Sequence, residues 1–199
     1  MRVVINLVLF IAICGLVWVL YNSIREPIAF NTEKDKRETA VTDRLKSIRL
    51  SQDLFRQITN DGYAPNFDSL VQTLRNGKIA IISVLGNPDD PEDPTITYDT
   101  IYVPAIEKIA ELNKINTFKI NLDSLQYVPY SNGKIFEIAA DTLTYQQTLV
   151  NVIEVKTLKA DFMGQFASIK YARYDANYDP NSFLKFGDLN APNLTGNWE

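Results

Sequence analysis

The first strong pattern in the chain is an unbroken apolar run from Val3 to Tyr21. It contains no charged side chain, and Asn6 is its only strongly polar residue. At a rise of about 1.5 Å per residue, the run makes a helix of roughly 28 Å, close to the thickness of a bilayer's hydrocarbon core. Trp18 and Tyr21 lie at its far end, where amphipathic aromatic rings favour the headgroup layer. The pattern predicts one membrane-spanning helix.

A cleaved signal peptide is the alternative explanation of this run. Signal peptides usually carry a shorter apolar region of about 7–15 residues, followed by a small-x-small cleavage site. No such site follows Trp18 here. A lipoprotein signal fits no better, because Ile11 to Ile13 precede Cys14 without a small residue next to the cysteine. We therefore expect a retained anchor over residues 1–22.

A helical pattern follows the anchor. Pro27 is expected to interrupt or kink the helix, because it has no N–H donor and disfavours helical geometry at Glu26. From about Thr32 to Asn60, apolar side chains recur at helical spacing, namely Val41, Leu45, Ile48, Phe55 and Ile58. This predicts a kinked helical stalk over residues 23–62, with a solvated first part and a buried face further on. Gly62 is expected to take the left-handed position that ends it.

The remainder of the chain is predicted to alternate short helices and strands. A helix is expected from Asn66, its capping residue, to Arg75, and another over Pro104 to Asn113. Strand patterns cover Lys78 to Leu85, Thr95 to Val103, Leu125 to Tyr130, Lys134 to Ala140, Leu149 to Leu158 and Phe183 to Phe186. Asn132-Gly133 predicts a hairpin between the third and fourth of these. The fold class is therefore α+β. A transmembrane helix continues into a long amphipathic helix that packs on a mainly antiparallel β-sheet head, residues 63–199.

This order of elements, with RLKSIRLSQDLFRQITNDGYAPNFDSLVQTL at residues 44–74, resembles type IV pilins and pseudopilins. Such chains often have a membrane helix that continues into an amphipathic helix, a Gly-Tyr-x-Pro turn and a short helix. The resemblance covers the first 80 residues or so. The chain departs from the pilin pattern because no acidic residue lies at the start of the membrane helix, where Asn6 is the nearest polar group. Over its whole length, with its Gly-Asn-Trp-Glu ending, the chain is also similar to uncharacterised single-pass envelope proteins of Gram-negative bacteria.

The resemblance implies a structural or assembly subunit of an envelope complex. It implies an inner-membrane location with the soluble domain in the periplasm. The implied partners are the bilayer and other membrane proteins or copies of the same chain. The alternative function is a membrane-tethered periplasmic binding module for a small ligand, a glycan or calcium.

Charge bears on both orientation and partners. The chain carries 20 basic and 24 acidic residues without a basic patch, which argues against a nucleic-acid partner. Only Arg2 precedes the anchor, whereas four basic residues follow it closely, at Arg25, Lys34, Lys36 and Arg37. That count alone favours a cytoplasmic domain. Large domains translocate largely regardless of charge, so the count and the resemblance point in opposite directions.

The residue types argue against most enzyme mechanisms. The sequence has no histidine, and its single cysteine, Cys14, lies in the apolar run. A Ser-His-Asp triad, a Cys-His pair and a histidine metal site are therefore excluded. The eight glycines never cluster, which excludes a phosphate-binding loop and a dinucleotide fingerprint. A hydrolase that uses a pair of carboxylates is the remaining enzymatic alternative, although no spacing of Asp and Glu marks such a pair. We expect a non-catalytic protein without a cofactor.

One acidic segment, Asn87 to Pro94, has two interpretations. Its carboxylates, Asp89, Asp90, Glu92 and Asp93, are the ligand type that calcium prefers. Its three prolines stiffen the chain, and it lacks the ligand spacing and the glycine of an EF-hand. We expect a solvated connector, with a calcium site as the alternative.

Four residues are candidates for membrane or assembly contacts: Asn6, Trp18, Tyr21 and Pro27. Asn6 either bonds a neighbouring helix within the bilayer or lies at the wet interface. A second group is aromatic and lies near the end of the chain, at Tyr171, Tyr174, Tyr178 and Phe183. These rings form either a glycan or protein contact surface or the anchors of the C-terminal segment on the core, which is the interpretation we favour.

Overall fold

A computed structural model of the chain describes residues 1–85 and 97–199. The helices are α1 (Arg2–Thr59), α2 (Phe67–Asn76), α3 (Ala105–Ile115) and α4 (Lys159–Met163). The strands are β1 (Lys78–Leu85), β2 (Thr97–Pro104), β3 (Glu137–Tyr145), β4 (Thr148–Leu158) and β5 (Phe183–Gly187). Two 3-10 turns, Gly164–Phe166 and Ile169–Arg173, lie between α4 and β5. The predicted α+β class is confirmed, with a long N-terminal apolar helix followed by antiparallel sheets and short helices.

The apolar run and the predicted stalk form one helix, α1, which continues through Pro27. The predicted interruption at this proline is therefore wrong. Pro27 cannot donate to the carbonyl of Ser23, so one helical hydrogen bond is missing. Phe30 is fully buried in the head only three residues later, and this packing holds the helix on the far side of the proline.

The helix ends on different residues from the one predicted. Asn60 (φ 56°) and Asp61 (φ 77°) take the left-handed positions, whereas Gly62 does not. The N–H groups of Asn60 and Asp61 both donate to the carbonyl of Arg56. Asn and Asp tolerate this region better than other residues with a side chain, so the glycine is not needed for the turn.

The helix α2 follows the predicted design. The Asn66 side chain accepts a hydrogen bond from the Ser69 N–H at 2.8 Å, which confirms the predicted cap. Phe67, Leu70 and Leu74 form the buried side of the helix, and Gly77 follows its last residue. The turn that joins α1 to α2 therefore has local causes that can be recognised in the sequence.

Two antiparallel sheets follow. The first has only β1 and β2, paired from Lys78 opposite Pro104 to Leu85 opposite Thr97. The second has the order β3-β4-β5, so β5 is the edge strand that the sequence predicted. Gly187 in β5 has φ 78°, and a Cβ there would lie 2.0 Å from the carbonyl oxygen of Ile153. This close approach of β5 to β4 requires glycine.

The predicted hairpin around Asn132-Gly133 is only partly correct. Both residues have positive φ, as predicted, but the segment Leu125 to Tyr130 is not a strand. It makes one bridge, Tyr127 to Ile135, before the chain enters β3. The main hairpin joins β3 to β4 through Gln146-Gln147, both with positive φ. Glutamine is not a typical residue of such turns, so the sequence gives no signal for this hairpin.

The core lies between α1 and the rest of the head. Leu45 and Ile48 are fully buried on α1, and Phe55 is almost so, as predicted from the spacing. α1 packs against α2, β1, α4 and β5. The three-stranded sheet contributes Ile153 and Val155 of β4 and Leu184 and Phe186 of β5. These side chains close the core on the side opposite α1.

Candidate functional site

The predicted membrane residues are spread along α1. Asn6, Trp18 and Tyr21 are exposed, and Pro27 is half-buried. Asn6 and Pro27 are 21 residues apart, about 32 Å along a helix, so the four side chains form no common site. One window of α1 is long and apolar enough to span a membrane, and none of that window is buried by the head. Length and composition of this kind are shared by membrane spans and by signal sequences.

An aromatic cluster forms where α1 enters the head, and we call it the collar. It consists of Phe30 surrounded by the four rings of Phe166, Tyr171, Tyr174 and Tyr178. The ring of Phe30 stacks on Tyr171 at 5.3 Å between centroids and meets the edge of Tyr178 at 5.0 Å. Aromatic pairs in this range add roughly 0.5–1.5 kcal/mol each beyond the burial of their area. The collar therefore fixes the C-terminal segment to α1.

The collar decides between the two interpretations of the C-terminal aromatic residues. Tyr171 and Tyr178 are buried, and Tyr178 donates a hydrogen bond to the carbonyl of Phe166 at 2.7 Å. Burial raises the pKa of Tyr178 to about 12. These residues anchor the C-terminal segment on the core, as predicted. We call this segment, Gly164 to Glu199, the tail. Phe183 does not belong to the collar, because it lies under the ammonium of Lys156 on the sheet.

Charged pairs tie α1 to the tail on either side of Phe30. Arg173 and the Tyr174 hydroxyl donate to the Glu26 carboxylate at 3.0 and 2.8 Å. One turn above Phe30, Lys34 donates to Asp175 at 2.5 Å. The bond from Lys34 lowers the pKa of the Asp175 carboxyl. Burial lowers the pKa of Lys34, but the bond to Asp175 outweighs it, and the net shift is upward. The tail is therefore held to α1 over about two turns of helix.

The sheet of β1 and β2, which we call the ribbon, presents apolar side chains to solvent. Ile82, Ile101 and Tyr102 are 65, 52 and 65% exposed. Ile82 lies opposite Thr100 and Ile101 opposite Ile81, so both faces of the ribbon carry exposed apolar groups. No third strand joins the ribbon within the described residues. Exposed apolar patches and unpaired strand edges are typical of protein contact surfaces.

A polar cleft, which we call the distal cleft, lies at the far end of α1 and measures about 350 Å³. Arg56 donates to Asp61 at 2.7 Å and lies 5.0 Å from the ring centre of Tyr63. Asn151 of β4 donates to the carbonyl of Asp61 at 2.9 Å. Burial raises the pKa of Tyr63. Because Asp61 already matches the charge of Arg56, the cleft is suited to a polar, uncharged ligand.

The calcium candidates Asp89, Asp90, Glu92 and Asp93 lie outside the described residues. Within residues 1–85 and 97–199, no group of three or more His, Cys, Asp or Glu side chains is arranged to hold a metal ion. Comparisons with protein-family models, with curated proteins and with solved structures found no match to this chain.

Sequence reasoning missed two contributions to these surfaces. Phe30 lies between the proline and a densely charged segment, where no periodic pattern marks it as core. The exposure of the ribbon was also missed, because a continuous apolar strand such as Ile79 to Ile82 is typical of a buried strand. Within residues 1–85 and 97–199, the lack of a third strand beside the ribbon has no local signal in the sequence.

Proposed function

We propose that this chain is a non-catalytic, single-pass subunit of an envelope assembly, with a pilin-like order of elements. The observation that carries the proposal is the continuity of α1. One helix of 58 residues is apolar and exposed in its first part and forms the core of the head in its second. A signal sequence that is removed has no need for a continuous helical connection to the folded domain. An anchor that positions the folded head needs such a connection.

The ribbon supports an assembly role. Within the described residues the ribbon has only two strands, and the free edges of such a sheet are suited to pairing with another strand. The exposed Ile82, Ile101 and Tyr102 would supply the apolar contact beside such a pairing. The partner is then another membrane protein or a second copy of this chain, held at the same height above the bilayer by its own anchor.

Extraction in mild detergent tests the assembly role. We expect the full chain to run in a particle larger than a single chain in its micelle. Replacing Ile82 and Tyr102 with Ser should release the single chain. Leu149→Ser is the matched control, because Leu149 is also exposed but lies on β4. A wild-type chain that is already single under these conditions contradicts the proposal.

A protease experiment tests the proposed orientation. We propose that residues 22–199 lie in the periplasm, as the pilin-like order of elements suggests. Protease added to intact spheroplasts should then digest the head. Digestion only after lysis of the inner membrane would place the head in the cytoplasm, in agreement with the count of basic residues.

The distal cleft favours a second candidate function, a membrane-tethered binding module. Its polar lining and its volume of about 350 Å³ are suited to a small uncharged ligand such as a sugar. Ligand binding that is equally strong without the anchor favours this candidate. The truncated chain must begin before Phe30, because a start at Thr32 removes the centre of the collar.

A further inference from the structure

A polar cleft and an apolar groove meet on α1 just past the predicted anchor. The cleft, about 490 Å³, lies between α1 and the two 3-10 turns, and its lining includes Asn22, Arg25, Glu26, Ala29, Gln165 and Tyr171. The groove, about 370 Å³, is lined by Tyr21, Ile24, Arg25, Ile28 and Ala29. The two share Arg25 and Ala29. A ligand with one polar and one apolar part would fill both.

The charges around the cleft are mainly positive. Arg25 and Glu26 line the cleft, and Glu26 already accepts from Arg173. Lys170 lies over the ring of Tyr171, which also lines the cleft. Among the described residues, Arg25 and Lys170 have no carboxylate within 4.0 Å. Their cations lie over aromatic rings instead, Arg25 at 5.9 Å from Tyr21 and Lys170 at 4.6 Å from Tyr171. The whole chain has a net charge of −4, so this end of the head is locally opposite in sign.

The end of the cleft at Arg25 lies at the height of the headgroup layer of a bilayer. If Tyr21 lies at the edge of the hydrocarbon core, Arg25 is about 6 Å above it and Ala29 about 12 Å. The headgroup layer on each side is roughly 5–8 Å thick. Ile24 and Ile28 remain exposed over the same length of α1, and Ile169 is exposed on the adjacent 3-10 turn. Exposed apolar side chains beside unpaired cations are the pattern expected at a lipid interface.

We propose that this site binds a phospholipid with an anionic headgroup. The guanidinium of Arg25 and the ammonium of Lys170 contact the phosphate, and the amide of Gln165 donates to the headgroup. The glycerol and upper acyl carbons lie along Ile24 and Tyr21, on the membrane side of Arg25. The bound lipid would join the tail to α1 at the membrane surface, next to the collar. This inference rests on the proposed membrane anchor.

Native mass spectrometry of the full chain in detergent tests the site. Phosphatidylglycerol and phosphatidylcholine with identical acyl chains are added separately, and the fraction of chain that retains lipid is measured. We expect preferential retention of phosphatidylglycerol. Changing Arg25 and Lys170 to Gln should weaken its retention by about fivefold for each residue, the factor corresponding to about 1 kcal/mol per cation near a charged membrane surface. Inorganic phosphate at the same concentration should not displace the lipid.

A charge-matched control is the double change Arg75→Gln and Lys108→Gln, on α2 and α3, which should leave retention unchanged. Equal retention of the two lipids by the wild-type chain would overturn the lipid site, even if every variant misfolded. Competition by inorganic phosphate would also overturn it, because the site would then recognise a free anion. Failure of the anchor itself is distinguishable. The intact mass of the purified chain would lack the apolar run, and the chain would be found in the soluble fraction.

Discussion

The two lengths of α1 belong to one helix but have opposite surroundings. Residues 2–29, the anchor length, contain no buried residue, whereas the head length, residues 30–59, contributes nine. Leu16 is 71% exposed, and Leu45 is fully buried. Within the anchor length, the run from Val3 to Tyr21 is apolar nearly all round, whereas the head length has one apolar stripe. A helix of the first kind requires an apolar solvent, and a helix of the second kind requires a partner on one side.

The two lengths of α1 also differ in the hydrogen-bond partners of their polar side chains. Gln52 is buried on the apolar face of α1, and its amide bonds both backbone groups of Ala64. Ser51 is buried too and donates to the carbonyl of Ser47 within the helix. Asn6, in the anchor length, is exposed and lies far from the head. Within a membrane it would therefore have no such partner in the head of its own chain. Polar side chains in the head length are therefore part of the core, whereas Asn6 in the anchor length is exposed to contacts with other molecules.

The largest expected effect comes from removing a core ring from the head length. Phe55→Ala should lower the free energy of unfolding of the head by roughly 3–5 kcal/mol, because it leaves a cavity in the core. Phe10→Ala is the matched control in the anchor length and should leave the unfolding of the head unchanged. Denaturant unfolding of both variants in the same detergent, followed by tryptophan fluorescence, measures the difference. Equal losses would mean that the two lengths do not differ as described.

A smaller effect is expected at Gln52. Gln52→Leu keeps the apolar packing but leaves the N–H and C=O of Ala64 without their partners. Unpaired buried groups of this kind cost about 1–3 kcal/mol each, so the variant should be less stable despite being more apolar. Gln57→Leu provides the control on an exposed position of the same helix. If both variants unfold at the same denaturant concentration as the wild type, the amide contributes only packing.

The sequence was sufficient where the cause of a structure is local. The Asn66 cap, the stripe of Leu45, Ile48 and Phe55, and the strand patterns of β1, β4 and β5 were all recognised from their neighbours in the chain. It was insufficient where the cause is distant. Phe30 is core only because the tail, more than 130 residues later, folds around it.

The candidate surfaces follow the same rule. The long apolar helix was predictable, because an uncharged apolar run of this length is typical of a helix that can span a membrane. The ribbon and the cleft beside Arg25 were not predictable, because both depend on which segments fail to cover them. Gln52 was missed for a related reason, since its partner, the backbone of Ala64, lies across the turn that follows α1.

The smallest expected effect concerns the ion pairs that hold the head together near α1 and in the sheet. The bond from Lys34 lowers the pKa of Asp175. Burial raises the pKa of Glu154, but the bonds from Lys185 and Lys156 outweigh it and the net shift is downward. A carboxyl whose pKa is lowered by folding stabilises the native state above its unfolded pKa of about 4. That contribution is lost as the pH falls through the lower, folded pKa.

Stability should therefore decrease between about pH 5 and pH 2 in the wild type, and less so in the double variant Asp175→Asn and Glu154→Gln. The difference should be about 1 kcal/mol, because both pairs are only partly buried and remain screened by water. Asp99→Asn with Glu107→Gln removes two exposed carboxylates and is the control for net charge. The free energy of unfolding in urea, measured across this pH range, gives the comparison. An identical acid response of wild type and double variant would show that other groups control the response to acid. The attachment of the tail to α1 would then depend on the collar and on the contacts of Arg173 and Tyr174 with Glu26.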